Sequence, residues 1–298
     1  MLSRKRLWLI IAGLIFLNIG TLIFFVGKWQ TAASFGSDEP AAVVDREEIS
    51  REKWMAELED RYGKEVLEEM INEEVVFQAA KKYKISVSDE EVDRAAKIMK
   101  ITYAAQELRK TENEEQLRRQ AESSLLFEEL LTKDVTIPEK QLKKYYEENP
   151  SHFEIPTSFR LSQIVVKKRE QALQISEELE NGSTFAVLAM EKSTDEFTAS
   201  QGGHLGYISR GSDRLPDKYL AEAEALKPKE WSKPFKTDEG WVIIKLHERI
   251  KGQSYGFKQV KDQIRRQIAL EQMKDRVSVN VFWDEMKVEW FYDGDNSI

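Results

Sequence analysis

The sequence predicts an α+β fold: a compact strand–helix–helix–turn–strand unit inserted between two helix-rich segments and preceded by one transmembrane helix. Three observations predict it. Apolar residues recur at helical spacing before residue 154 and after residue 250. Between those limits two runs have strand character, and an uncharged apolar stretch near the N-terminus is long enough to cross a bilayer. The 298 residues, 41% hydrophobic and 33% charged, suffice for a sizeable core. The lack of cysteine excludes disulfides, thiolate catalysis, Cys-ligated zinc and a lipid-modified N-terminal cysteine. A net charge of −8 argues against broad nucleic-acid binding.

Arg4, Lys5 and Arg6 precede an apolar run from Leu7 to Val26, interrupted only by small residues, Asn18 and Thr21. At about 1.5 Å per residue, twenty helical residues span roughly 30 Å, the thickness of a hydrocarbon core. The basic cluster before the run, with only Lys28 just after it, keeps the N-terminus in the cytoplasm and sends the rest outward. A cleaved signal peptide is the rival reading, because Thr31-Ala32-Ala33-Ser34 offers small residues to a peptidase. The length of the run and the lack of a clean A-x-A site just after it favour an uncleaved anchor. The expected organisation is a basic tail (1–6), a signal-anchor (7–27), a linker (28–42) and a helical region (43–153). The α+β unit (154–250) follows, then a C-terminal helical region (251–298) packing with the first.

Each element has its own signal. Asp45 to Met99 reads as helices, with Leu67, Ile71 and Val75 on one stripe beside Met70 and Phe77. Ser88-Asp89-Glu90-Glu91 fits a capping box. A charged helix is expected over Glu112 to Lys133, and Thr136-Ile137-Pro138-Glu139 restarts a helix with proline in its first turn. From Phe159 the pattern alternates: Phe159, Leu161, Gln163 and Val165 against Arg160, Ser162, Ile164 and Val166. A helix through Ala172, Ile175 and Leu179 stops at Asn181-Gly182, and Ser183 or Thr184 can cap the next. The glycines 202, 203, 206 and 211 punctuate turns before a last strand, Trp241 to Leu246. Helical spacing returns through Val260, Ile264 and Ile268.

The ordered set Ser162-Gln163-Ile164-Val165-Val166, Ser193-Thr194-Asp195, Gly202-Gly203-His204-Leu205-Gly206-Tyr207, Leu226-Lys227-Pro228 and Gly240-Trp241-Val242-Ile243-Ile244-Lys245 resembles the parvulin (rotamase) domain. The flanks, through Tyr62-Gly63-Lys64-Glu65-Val66-Leu67 and Val87-Ser88-Asp89-Glu90-Glu91-Val92, are similar to the PrsA/SurA-like secretion foldases. The resemblance implies an antiparallel sheet with surrounding helices and peptidyl-prolyl cis/trans isomerisation. It places Leu205, Leu215 and Tyr219 at the proline cup and Asp195 opposite the substrate carbonyl, where the family carries Cys or Asp. The family's first central histidine is Gln163 here, its second is Val242, and the aspartate of Gly-Gly-Asp-Leu-Gly is His204. Gln163 can still give an amide donor or acceptor, whereas Val242 offers no side-chain hydrogen bond.

Rotation about X-Pro faces a barrier of about 18–20 kcal/mol and breaks no covalent bond, so the reaction calls for no cofactor. His152, His204 and His247 lack metal-ligand spacing, and no metal site is expected. Lys167-Lys168-Arg169 reads as a solvated turn. Asp195 has a structural alternative as a turn brace, and Gln163 as a satisfied buried amide. Two functions stay open. One is a membrane-anchored extracytoplasmic isomerase that assists the folding of unfolded exported polypeptides. The other is a chaperone or peptide-binding module whose isomerase centre has lapsed. A homodimer through the helical arms is compatible with either.

Overall fold

The computed structural model describes residues 40–103, 114–273 and 277–294. The basic tail, the expected signal-anchor and nearly all of the linker lie outside the described residues. Among those described, no helix is long and apolar enough to cross a membrane. The chain divides into two compact units, Met1–Met70 with Trp290–Ile298, and Ile71–Glu289.

The first unit opens with a hairpin, β1 (Ala42–Val44) against β2 (Glu47–Ile49). This corrects the helical reading from Asp45. A two-residue hairpin loop of type I′ needs positive φ at both central positions, commonly met by Asn-Gly. Asp45 (φ 44°) and Arg46 (φ 79°) fill it here, so the usual glycine signal is missing from the sequence. Ser50 then caps α1 (Arg51–Leu58), accepting from the Lys53 amide at 3.1 Å. A π-turn over Glu59–Gly63 leads into α2 (Lys64–Tyr83). The expected stripe is only partly buried: Val75, Val76, Ala79 and Ala80 are in the core, whereas Met70 is exposed.

In the second unit α3 (Asp89–Tyr103) and α4 (Glu114–Thr132) pack through Val92, Ala96 and Ala121. Half of the capping box forms: Ser88 accepts from the Glu91 amide at 3.3 Å, but the Glu91 side chain turns to Ser88 Oγ and to Arg266. Pro138 takes the N-cap position of α5 (Glu139–Glu148), one residue earlier than expected. A short pairing of β3 (Glu154–Ile155) with the last strand of the unit leads into the main sheet.

That sheet has β4 (Ser158–Val166), β5 (His204–Ser209), β6 (Phe235–Lys236) and β7 (Trp241–Ile250) in the order β5-β4-β7-β6, every pair antiparallel. The segment read as glycine-punctuated turn therefore contains a strand, β5, and a helix, α8 (Asp217–Ala225). One face carries Phe159, Leu161 and Val165 against α8. The other carries Ile164, Val166 and Ile243 against α6 (Arg169–Glu180) and α7 (Phe185–Lys192). After β8 (Gln253–Ser254), the partner of β3, α9 (Phe257–Glu271) returns to the helices and buries Val260, Ile264 and Ile268 against Leu142 and Phe153. The short α10 (Trp283–Met286) and the residues before it lie on α2 and α4 through Val279, Phe282 and Met286.

Arg266 of α9 is 1% exposed and sits among carboxylates from two other helices. It donates to Glu91 at 2.8 Å and Glu129 at 3.3 Å and lies 3.5 Å from Glu128. A buried charge without partners is costly, so the cluster fixes how α9 seats on α3 and α4. We expect Arg266→Ala, which strands Glu91, to cost about 3–5 kcal/mol in urea unfolding. Replacing Arg266 by Met and Glu91 by Leu together should recover much of that loss.

Candidate active site

Gln163 lies on β4, on the sheet face that packs against α8, and is 5% exposed. A buried amide needs partners for both ends. Its Oε1 accepts from the Tyr219 hydroxyl of α8 at 2.7 Å, and its Nε2 donates to Asp195 Oδ2 at 2.8 Å. The carboxylate fixes which way the amide points, because an ionised Asp can only accept.

The loop after α7 is tied to β4 so that Asp195 meets Gln163. Thr194 donates its amide (2.7 Å) and its hydroxyl (3.1 Å) to the Val165 carbonyl, and Ser193 Oγ accepts from the Val165 amide at 3.1 Å. Asp195 also accepts from the Thr198 hydroxyl on Oδ2 and from the Phe197 amide on Oδ1 at 3.1 Å. Burial alone would raise the Asp195 pKa. The Thr198 and Gln163 side chains, with the amides of Phe197 and Thr198, outweigh it and hold the carboxyl below its usual range. Gly203, at φ 79°, accepts through its carbonyl from the Gln163 backbone N–H at 2.7 Å, and a Cβ there would overlap the Gln163 backbone carbonyl oxygen. Only glycine allows that approach.

Tyr219 is 2% exposed, its ring edge-on to Phe235 at 5.3 Å between centroids. Leu205 of β5 and Leu215 before α8 are half-buried and pack on the same cluster. Tyr219 is thus the floor of that apolar patch, with Leu205 and Leu215 as its accessible part, rather than an open wall of a cup. Arg249 Nη2 holds the C-terminal end of α8, donating to the carbonyls of Ala223, Glu224 and Leu226 at 3.1, 3.0 and 2.7 Å. Val242 is fully buried opposite Val165, within the Tyr219 cluster, so no polar group stands where the second family imidazole would.

All five candidates therefore converge: Asp195, Gln163 and Tyr219 through hydrogen bonds, Leu205 and Leu215 through apolar packing. Thr198 was missed. Its signal is the Asp-x-x-Thr spacing from Asp195 to Thr198, which suits a local side-chain bond across one turn. Lys167 is exposed and donates to the Glu239 carbonyl at 3.3 Å, and Arg169 lies over the Trp241 ring at 5.7 Å.

The opposite sheet face holds a second polar group. Ser162 Oγ lies 3.1 Å from His204 Nδ1 and 2.8 Å from His247 Nε2. Among the described residues no cluster could hold a metal ion. Burial, with His204, Arg160 and Lys245 nearby, pushes His247 down to about 4. Burial and Arg160 likewise lower His204.

Comparison with known proteins gives a consistent picture. A family model for the PPIC-type PPIase domain matches residues 137–262. The chain is 39% identical over 292 residues to YacD of Bacillus subtilis (strain 168), covering 98% of each protein. That relative's name carries a provisional assignment as a peptidyl-prolyl cis-trans isomerase. The foldase protein PrsA of Geobacillus kaustophilus (strain HTA426) is 34% identical over 250 residues, 80% of this chain and 84% of that protein. A crystal structure of PrsA from Bacillus cereus matches 87% of this chain and 96% of its own at 25% identity, with a TM-score of 0.34. The chain belongs to the PPIC-type, or parvulin, peptidyl-prolyl isomerase family, with PrsA foldases among its relatives.

The His247 shift has a consequence for stability. Its folded pKa lies below the unfolded value of 6.5, so the unfolded chain binds the extra proton between about pH 6.5 and pH 4. The stabilisation is whole above pH 6.5 and is lost as pH falls toward 4, by up to about 3 kcal/mol. His247→Gln, which does not titrate, should flatten the decline between pH 6.5 and 4 in urea unfolding. An unchanged decline would contradict this assignment.

Proposed function

We propose that this protein is an extracytoplasmic parvulin-type isomerase and foldase that acts on unfolded exported polypeptides and is held at the membrane by its N-terminal apolar segment. The observation that carries the isomerase reading is the ionised Asp195, fixed beside Gln163 and connected through it to the apolar patch of Leu205, Leu215 and Tyr219. The anchor rests on the run from Leu7 to Val26 and the basic residues before it. Assistance to exported chains rests on kinship with PrsA foldases.

The chemistry follows from the amide. In the planar form, resonance places negative charge on the carbonyl oxygen; on twisting, that charge returns to nitrogen. A fixed carboxylate beside the oxygen repels the planar state more than the twisted one, and an apolar surface around the pyrrolidine disfavours the more polar planar form. Both lower the barrier by preferring the transition state. Leu205 and Leu215 hold the ring, and Asp195 supplies the charge. No bond is made or broken.

A holding role for the helical flank is the second reading, favoured by Trp54, Met55, Tyr62, Val66 and Met70, all exposed on or between α1 and α2. Refolding of a proline-limited protein separates the two. The full chain should accelerate the slow phase, and the double variant Leu205→Ala/Leu215→Ala should lower kcat/KM about tenfold or more, roughly 1.4 kcal/mol. No acceleration at stoichiometric concentration defeats the isomerase reading. Suppressed aggregation in that case would leave the holding role.

A further inference from the structure

We propose that Tyr219 is a positioning residue: its hydroxyl locks the Gln163 amide, and the locked amide holds the Asp195 carboxylate in place for isomerisation. This rests on the isomerase reading above. Gln163, which stands where the family carries its first central histidine, and Tyr219 satisfy each other. Were residue 219 phenylalanine, Gln163 Oε1 would be a buried acceptor without this donor. Were residue 163 apolar, the Tyr219 hydroxyl would lie unpaired in the core. Each substitution alone leaves a costly orphan, and together they make one bond of 2.7 Å.

The chain of bonds has a direction. Tyr219 donates to Oε1, which turns Nε2 toward Asp195 Oδ2, where the Thr198 hydroxyl donates too. Oδ1 receives the Phe197 amide. Donors on both oxygens leave the carboxylate no free rotation about its last bond. Burial and the charges of Glu239 and Asp195 push the Tyr219 pKa upward, so the hydroxyl keeps its proton and remains a donor. The groups facing Asp195 are Gln163, Thr198 and the Phe197 amide, and Glu239 acts on the Tyr219 end. A network of one phenol, one amide and one carboxylate thus orients the site, with Gln163 in the first imidazole's position and Val242 in the second's.

The test uses the full chain and Tyr219→Phe, which removes one oxygen and keeps the ring. Expected are a fall in kcat of about tenfold with KM within about twofold, and an acid limb of kcat/KM displaced to higher pH. The displacement follows because the unlocked Gln163 amide no longer holds its donor on Asp195, one of the groups that lower that carboxyl's pKa. Gln163→Leu should show the same loss, and the double variant no more than either single one. The Asp195 titration midpoint, followed by carboxyl-carbon NMR, should rise in both. Unchanged kcat and midpoint in Tyr219→Phe, or losses that multiply in the double variant, would overturn the proposal. Should Tyr219→Phe not fold, the midpoint in Gln163→Leu decides. If wild type shows no isomerase activity, the functional reading fails, while the NMR midpoint still judges the linkage from Tyr219 to Asp195.

Discussion

β4 is the inner strand between β5 and β7, with helices over both of its faces, and every residue on it except Arg160 is buried. A strand in that position cannot leave a polar side chain to water. Its three others, Ser158, Ser162 and Gln163, must each find partners within the fold. Ser158 pairs with Ser209 on β5 at 2.8 Å. Ser162 bridges His204 and His247 on the face that carries α6 and α7, and Gln163 joins Asp195 to Tyr219 on the other. The need to satisfy one strand thereby draws together elements scattered from residue 158 to residue 247.

The helices around the sheet meet a related demand with charge. α3 reaches the sheet through Lys100, which donates to Glu248 of β7 at 2.7 Å, and Tyr207 of β5 donates to the same carboxylate at 2.7 Å. Burial would raise the Glu248 pKa, but these two donors and the charges of Lys100 and Arg160 hold it down. At the other end of α3, Glu91 meets Arg266 of α9. One helix is thus pinned to the sheet and to the C-terminal helix by separate ion pairs. Such contacts add little net stability over apolar packing, but they discriminate among ways of docking, because a shifted helix would strand a buried charge.

Sequence periodicity made β4, α6, α7, α9 and β7 legible, since each is long and buried on a regular face. It failed where the local signal is weak or shared. β5 is only His204–Ser209, contains Gly206 and follows Gly202-Gly203, so the stretch reads as turn alone. The hairpin at Ala42–Ile49 uses Asp-Arg where Asn-Gly would have advertised it. Of the site, the residue types at 163, 195, 205, 215 and 219 could be placed through family resemblance, but the bond from Tyr219 to Gln163 could not. Those residues are 56 positions apart, and the resemblance places Tyr219 at the proline cup without a polar partner for its hydroxyl. Burial of the ring and the direction of its hydroxyl are tertiary facts.

That bond changes how the missing histidines should be weighed. Rotation about a prolyl bond needs no proton transfer and no nucleophile, so an imidazole in such a site serves through its hydrogen bonds and its shape. Shape is answered here by Val242, which fills the core beside Val165. Hydrogen bonding is answered by Gln163, whose amide has a donor end for Asp195 and an acceptor end for Tyr219. An amide does not titrate near neutral pH, whereas an imidazole with an ordinary pKa near 6.5 does. Two of the chain's three imidazoles, His204 and His247, are on the far face of the sheet, bonded to Ser162 and shifted downward in pKa. The network of Tyr219, Gln163 and Asp195 therefore contains no imidazole, and the member of it that carries charge is Asp195.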